Sequence, residues 1–177
     1  MSRYHSHFKS KILQKKYFVE LATYNQWANH TVISWLNLIT EEQWNASVVS
    51  SFNSIGQTSL HIIGAEKIWL DRLQHNPDPS WLPATFAGSK TDATQVWEAA
   101  SAGLLLFTQD LEEAQLSAPM KYKRLNGEEY EQETYKILAH VFNHSAYHRG
   151  QLVTQLRQMG FEDVTTLDLL AYYNLKF

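Results

Sequence analysis

Three observations predict an all-α protein, most simply a four-helix bundle. Four long segments place apolar residues three and four positions apart, which is the pattern of an amphipathic helix. Helix-capping and turn residues stand between these segments. The chain has 177 residues, the size of one domain, and 44% of them are hydrophobic, which is enough for a sizeable core. We therefore expect residues 1–177 to form a single domain.

The first helix is predicted from Phe8 to Ile39. Its apolar stripe recurs at helical spacing and consists of Phe18, Leu21, Ala28, Val32 and Trp35. Asn25 interrupts this stripe, either as a hydrogen-bonded core amide or as part of a cavity wall, and the first interpretation is favoured. A capping box from Thr40 to Gln43 then predicts a short helical turn.

The second helix is predicted from Gly56 to Leu73, behind a second capping box formed by Ser54 and Gln57. The following stretch, HNPDPSWLPATFAGSK, contains three prolines and predicts an irregular connection. This connection is long enough for a parallel crossover to the third helix. Simple up-and-down topology is therefore not required.

The third helix is predicted to begin near Thr91, and its stripe consists of Trp97, Ala100, Leu104, Phe107 and Leu111. The pair Asn126–Gly127 is a turn signal that allows a short hairpin. The fourth helix is predicted from Thr134 to Met159, with Gly160 as the residue that ends it. The tail contains LDLLAYY, which we expect to form a short helix or an extended strap across the bundle.

Charge and composition exclude several classes of function. A net charge of −3 disfavours nucleic-acid binding, which needs a basic stripe. We interpret the one lysine cluster as a solvated helix face formed by Lys9, Lys11, Lys15 and Lys16. The absence of cysteine excludes a thiol nucleophile, an iron–sulfur cluster and a disulfide, so any thiol must come from a substrate. No segment has the pattern of a signal peptide or a membrane span, so we expect a cytoplasmic protein.

The segment LAHVFNHSAYHRGQL of the fourth helix carries three histidines at intervals of four. Residues four apart lie on one side of a helix, about 6 Å apart, so two imidazoles can reach one metal ion. Ser145 and Arg149 fall inside the apolar stripe of this helix, which consists of Leu138, Val141, Phe142, Leu152, Val153 and Leu156. His148 lies at the edge of the stripe and His144 one step further round. His140 lies toward solvent, so His144 and His148 are the better pair.

A third ligand must come from another element. The remaining histidines of the chain are His5, His7, His30, His61 and His75. His61 lies near the start of the second helix beside an apolar run and is the first choice, with His30 as the second. The zincin motif HExxH is absent, and no acidic residue lies three positions before His61 or the fourth-helix histidines, as a di-iron bundle requires. A mononuclear three-histidine site with open positions is typical of catalysis. The alternative is a set of helix-face histidines that bind nothing.

Four stretches, in order along nearly the whole chain, resemble signatures of the DinB/YfiT metalloenzyme family. They are YNQWANHTVISWL, SLHIIGAEKIWLDRL, LNGEEYEQETYKILAHVFNHSAYHRGQL and TLDLLAYY, and the third ends in the HRGQ signature at residues 148–151. The resemblance implies an all-α four-helix bundle of DinB/YfiT-like topology with a short C-terminal strap, commonly a homodimer. It also implies one divalent metal ion per chain (zinc, nickel or iron) bound by His61, His144 and His148.

The family resemblance also indicates a function. The superfamily includes transferases that use bacillithiol, mycothiol or glutathione, and a thiol-dependent maleylpyruvate isomerase. Together with the open three-histidine site and the absence of cysteine, this favours a metal-dependent S-transferase that joins a low-molecular-weight thiol to an electrophilic small molecule. A metal-dependent hydrolase is one alternative. A non-enzymatic, stress-induced bundle that binds a metal or ligand is another. No catalytic residue is assigned.

Aromatic residues near the predicted site have two interpretations. Trp69 lies two turns beyond His61 and either forms a pocket wall or packs in the core, and core packing is favoured. Tyr24 and Trp27 have the same two interpretations, as part of a pocket wall or of the core.

Three residues that follow the last histidine also bear on the site. Arg149 needs a partner, which is either an anionic substrate or a carboxylate such as Asp168 or Glu162. Gly150 is expected to allow close approach of another helix, since a glycine inside a helix otherwise costs about 1 kcal/mol. Gln151 is expected to orient one of the metal-binding histidines.

Overall fold

The computed structural model describes the backbone of residues 2–175 and the side chains of residues 15–175. Its four long helices are α1 (Ser2–Leu38), α3 (Ile55–Leu73), α5 (Lys90–Asp110) and α7 (Thr134–Gln158). The shorter helices are α2 (Glu41–Asn45), α4 (Leu82–Thr85), α6 (Glu113–Leu116) and α8 (Leu169–Tyr173). The predicted all-α fold with four long helices is confirmed. No helix of the described chain is both long and apolar enough to cross a membrane.

Part of the N-terminal prediction lies outside the described side chains, namely His5, His7, Lys9 and Lys11. The other two lysines of the predicted solvated face, Lys15 and Lys16, have described side chains. Lys15 is half-buried, whereas Lys16 is exposed and pairs with Glu20 at 3.7 Å.

Capping side chains define the starts of three helices. Thr40 and Gln43 form the predicted capping box of α2, and Ser54 caps α3 through its side-chain oxygen. Ser89 and Asp92 form a further capping box, so α5 begins one residue before the predicted position. Each cap satisfies backbone N–H groups that have no partner within their own helix.

The predicted hairpin is also confirmed. Strand β1 (Pro119–Lys123) pairs antiparallel with β2 (Glu129–Glu133), and Tyr122 lies opposite Tyr130. Gly127 in the turn has a φ of +87°, a backbone conformation that glycine adopts without the steric cost of a side chain. The single-turn helices α4 and α6 were not predicted because four residues carry too little periodicity.

Two apolar clusters determine the directions of the long helices. The first joins the later parts of α1 and α7 to the earlier parts of α3 and α5, and includes Val32, Leu36, Ile55, Ile62, Ala93, Trp97, Leu152 and Leu156. The second joins the opposite parts of the same helices, and includes Phe18, Ala22, Leu73, Leu104, Leu111, Leu138 and Val141. Helices α1 and α7 therefore run in one direction, and α3 and α5 in the other.

The packing of the helices confirms that the bundle is not a simple up-and-down one. Helix α1 packs on α5 and α7, and α3 packs on the same two helices. Because α3 and α5 run in the same direction and contact each other, the proline-containing connection between them is a parallel crossover. The first two long helices, α1 and α3, lie on a diagonal of the bundle.

Lys90 joins the start of α5 to the end of α1. Its buried ammonium donates hydrogen bonds to the carbonyl oxygen of Leu36, at 2.8 Å, and to that of Ile39. The last carbonyls of a helix have no partner within it, and a positive charge near them is favourable. This contact holds the two helix ends together.

A layer of buried polar side chains separates the two apolar clusters. On each long helix its members lie between residues of one cluster and residues of the other, and they are Asn25, Asn29, Glu66, Ser101, Ser145 and Arg149. We call these six residues the polar layer. Since every long helix contributes to it, the polar layer connects the whole bundle.

Glu66 of α3 is the main acceptor of the polar layer. Its carboxylate accepts hydrogen bonds from the amide groups of Asn25 and Asn29, at 2.9 and 2.8 Å. It also accepts from the hydroxyls of Ser145 and Ser101, at 2.7 and 3.0 Å. A buried carboxylate is tolerated when its oxygens are satisfied in this way. Asn25 is therefore a satisfied core amide, as favoured from the sequence.

Arg149 joins the polar layer from α7, and the partners predicted for it were wrong. Its guanidinium, only 1% exposed, donates to the amide oxygens of Asn25 and Asn29, at 2.6 and 2.7 Å. The two asparagines thus bridge the charge of Arg149 to that of Glu66. Asp168 is engaged elsewhere, because its carboxylate caps the start of α8.

The C-terminal segment crosses the bundle as an extended stretch followed by α8, which confirms the predicted strap. The hydroxyl of Tyr24 donates to the carbonyl oxygen of Leu167 at 2.6 Å. The ring of Tyr172 packs against those of Tyr24 and Trp27, with centroids 5.6 and 5.2 Å apart. Tyr24 and Trp27 therefore lie beneath the C-terminal segment.

Gly150 does not allow a close helix approach, contrary to the expectation from the sequence. It is exposed, and a Cβ atom added to it would meet no atom within 4 Å. We therefore expect Gly150→Ala to raise the free energy of unfolding by about 0.5–1 kcal/mol, because alanine loses less backbone entropy in a helix. Chemical denaturation of the metal-free protein measures this change. A loss of stability would contradict it and would show that another surface packs on this part of α7.

Candidate metal centre

Three histidines meet where α3 packs on α7. One ring nitrogen from each of His61, His144 and His148 lies within 4.8 Å of the others. The Nε2 atoms of His61 and His144 are 3.0 Å apart. Two imidazole nitrogens bound at about 2.0–2.1 Å to one ion would be separated by roughly 2.9–3.4 Å, depending on the angle at the metal. The three histidines could therefore hold a metal ion.

The other histidines with described side chains do not join this group. His30 on α1 and His75 after α3 are exposed. His140 is exposed as predicted, and its ring centroid lies 5.9 Å from that of His144. Among the residues with described side chains, no second group of histidine and acidic ligands has a spacing suitable for a metal.

Burial keeps two of the three imidazoles neutral. Desolvation is the main cause that lowers the pKa of His61 to about 4, and electrostatic interaction with the His148 ring is the second. Desolvation is also the main cause that lowers the pKa of His144 to about 3, followed by electrostatic interaction with the neighbouring histidine rings. Metal binding requires neutral imidazole. At neutral pH, protons therefore compete little for the lone pairs of these two side chains.

Gln151 fixes the orientation of the third imidazole, as the sequence led us to expect. Nδ1 of His148 lies 2.8 Å from Oε1 of Gln151. An amide oxygen only accepts, so Nδ1 carries the proton and Nε2 keeps its lone pair. The amide nitrogen of Gln151 in turn donates to the Ser51 hydroxyl at 3.1 Å.

Replacing Gln151 by leucine should weaken metal binding by about 10- to 100-fold, because the ring of His148 loses the acceptor that selects its tautomer. Competition with a chelator of known affinity measures this loss. Gln158→Leu, an exposed change near the end of the same helix, is the matched control. Equal metal affinity in the wild-type protein and Gln151→Leu would contradict the orienting role.

Aromatic rings enclose the histidines. Phe52 packs against His61 and His148, with ring centroids 4.4 and 5.7 Å apart. Trp81 meets His61 edge-on at 5.7 Å. The segment that carries Trp81 approaches α3 closely at Gly64, where an added Cβ would lie only 2.5 Å from Pro83. These contacts hold the imidazoles in place.

A cavity of about 790 Å³ opens beside His61 and His144. Its walls come from α3, from α7 and from the hairpin. Trp69 has both of the roles considered for it, since it packs against the second apolar cluster and also lines the cavity. Its ring lies 4.8 Å from that of Tyr122 and 5.7 Å from that of His140.

Sequence analysis missed several residues of this cavity. Arg72 carries a usable signal, because it lies eleven positions after His61 and therefore on the same face of α3. Tyr122 belongs to the hairpin, and Trp81 to an irregular connection. No local pattern indicates where either segment packs.

The bundle and its histidine cluster define a four-helix protein with a candidate metal centre. The model of the DinB family matches residues 10–175, so the chain belongs to this family. A curated relative, Protein DinB of Bacillus subtilis (strain 168), is 27% identical over an alignment of 154 residues that covers 83% of this chain and 88% of the relative.

Solved structures show the same fold. A DinB-like protein from Bacillus cereus ATCC 10987 aligns with a TM-score of 0.66 and 17% identity, over 84% of this chain and 95% of that one. A DinB-like protein from Bacillus subtilis aligns with a TM-score of 0.62 and 13% identity, over 84% of this chain and 96% of that one.

Proposed function

We propose that His61, His144 and His148 bind one divalent metal ion, and that the protein is a metal-dependent enzyme that transfers a low-molecular-weight thiol to an electrophilic small molecule. The observation that carries this proposal is that the histidine cluster opens on a cavity, and that no fourth histidine or acidic ligand of the described residues joins it. Three neutral protein ligands leave positions for a small molecule, as in catalytic metal sites.

The proposed chemistry needs a thiolate. A divalent cation at the three histidines would lower the pKa of an approaching thiol and favour the nucleophilic form. The thiol gives up its proton, its sulfur forms a bond to the electrophilic carbon, and the leaving group departs with the electron pair of the broken bond. Because the chain has no cysteine, the sulfur belongs to the cosubstrate. Phe52 and Trp81 contribute by holding the ring of His61 in place.

Zinc, nickel and iron all accept imidazole ligands, and we propose one such ion per chain. Metal analysis of protein purified without an affinity tag identifies the ion. A homodimer and a role in stress are proposals supported by the family resemblance, and a cytoplasmic location is a proposal carried over from the sequence pattern. Sedimentation of the metal-loaded protein tests the first of these.

The function is tested with metal-free protein that is reconstituted with Zn²⁺, Ni²⁺ or Fe²⁺ and then mixed with a thiol and 1-chloro-2,4-dinitrobenzene. Glutathione, bacillithiol and mycothiol are compared. We expect metal-dependent formation of the thioether, lost in His144→Ala and retained in His30→Ala. The same rate without metal would contradict the proposal. Metal-dependent ester cleavage without thiol would identify a hydrolase instead, and a bound metal with neither reaction would favour a non-enzymatic binding protein.

A further inference from the structure

We infer that the cavity beside the histidines binds an elongated carboxylate, with Arg72 holding the carboxylate group at the end away from the histidine cluster. This inference rests on the proposed function in one respect only, namely that the reacting end of the carboxylate ligand lies at the three histidines. The anion site itself follows from the side chains that line the cavity.

The charged side chains that line the cavity are cationic, and of these Arg124 acts electrostatically on the nearby carboxylate of Glu128. Within the part of the chain whose side chains are described, three cationic side chains and no acidic one line the cavity, namely Arg72, Arg124 and Lys136. Lys136 already pairs with Glu133 at 2.7 Å. Among the described residues, no carboxylate lies within ion-pair distance of Arg72 or Arg124. The whole chain has a net charge of −3, so this cationic cavity differs from the rest of the molecule and favours an anionic ligand.

Arg72 is held in place by aromatic rings. Its Cζ atom lies 4.7 Å from the ring centroid of Trp69 and 5.6 Å from that of Tyr122. Its Nε atom is buried and has no hydrogen-bond partner among the described residues. Burial also lowers the pKa of Arg72, because its charge has lost part of its hydration. A guanidinium presents N–H donors in a planar fork that matches a carboxylate, and the terminal N–H groups of Arg72 would donate to such a ligand.

The positions along α3 set the length of the ligand. His61, Ala65, Ile68 and Arg72 follow one another at helical spacing and all line the cavity. Eleven residues of helix span about 16 Å between the first and last Cα atoms. Helical side chains lean toward the N-terminus at both positions, so the guanidinium of Arg72 and the imidazole of His61 stay separated by a distance on the order of 15 Å. The carboxylate is therefore separated from the reacting atom by an apolar middle that packs on Ile68 and Trp69.

The test compares 4-phenylbutyrate with its neutral amide, 4-phenylbutanamide, by calorimetric titration of the full-length, metal-free protein. We expect the acid to bind at least about tenfold more tightly than the amide, the effect of one charge-assisted hydrogen-bond pair. Arg72→Met keeps the apolar stem and should remove this preference while leaving the affinity for the amide nearly unchanged. Arg72→Lys should retain part of the preference. Arg157→Met, an exposed change on α7, is the control and should have no effect.

Equal binding of acid and amide by the wild-type protein would overturn the inference, and so would an acid preference that survives in Arg72→Met. The titration contains neither metal nor thiol. A preference for the acid together with no thiol transfer would therefore support the anion site and reject the proposed function. Thiol transfer without any preference for the acid would reject the anion site alone.

Discussion

Replacing Arg149 by methionine is expected to lower the free energy of unfolding by about 3–5 kcal/mol. Methionine keeps part of the length of the side chain but removes the guanidinium. The carboxylate of Glu66 then remains buried without its positive counterpart, and the amide oxygens of Asn25 and Asn29 lose their donor. Urea denaturation of the metal-free protein measures the change. A drop in Tm of roughly 6–20 °C should accompany it.

Arg157→Met serves as the control for this experiment, because Arg157 is exposed on the same helix and its loss should cost less than about 0.5 kcal/mol. Glu66→Gln and the double variant with Arg149→Met complete a mutant cycle. The double variant should be less destabilised than the sum of the two single changes, since each single change leaves one charge uncompensated. Additive losses would contradict a coupling of the two charges through the asparagines.

The second large expected effect is the loss of bound metal when one of the three histidine ligands is replaced. Metal-loaded wild-type protein and His140→Ala should each contain about one ion per chain, whereas His61→Ala, His144→Ala and His148→Ala should contain almost none. Two remaining imidazoles hold an ion too weakly to survive desalting. Plasma mass spectrometry of protein prepared without an affinity tag gives the stoichiometry. His140 is the matched control, because it lines the same cavity one turn before His144.

Two results would contradict this ligand set. One is equal loss of metal in His140→Ala, and the other is a full complement of metal in His144→Ala. Circular dichroism of each variant without metal shows whether the bundle still forms, so that loss of a ligand is distinguished from loss of the fold.

Local patterns were sufficient for the helices and for part of the site. Apolar periodicity and capping boxes depend on neighbours within a few residues. The predicted ends of the long helices agree with the structure to within one residue, except that α1 begins at Ser2 and not at the predicted Phe8. The pairing of His144 with His148 also follows from spacing on one helix. Spacing does not decide between His61 and His30 as the third ligand, because the sequence alone does not say which face of α3 packs on α7.

The polar layer shows where local patterns are insufficient. Asn25, Ser145 and Arg149 could each be recognised as polar interruptions of an apolar stripe, and Glu66 lies within the apolar run IIGAEKIW. Each interruption signals a buried polar group, yet none identifies its partner. Predicting that Glu66 balances the charge of Arg149 requires knowing that the four long helices meet at the same level of the bundle. The cationic cavity could not be predicted from local patterns either, since the hairpin that completes it comes from a distant part of the chain.

The polar layer also constrains the order in which the chain can assemble. Asn25 and Glu66 are 41 positions apart in the sequence, and Asn25 and Arg149 are 124 apart. His61 and His144, the two closest imidazoles, are separated by 83 positions. Contacts at such separations form late and slow the folding of a chain. During synthesis, the first helix is complete long before the last long helix exists, so its buried asparagines have no access to Arg149 until most of the protein has been made.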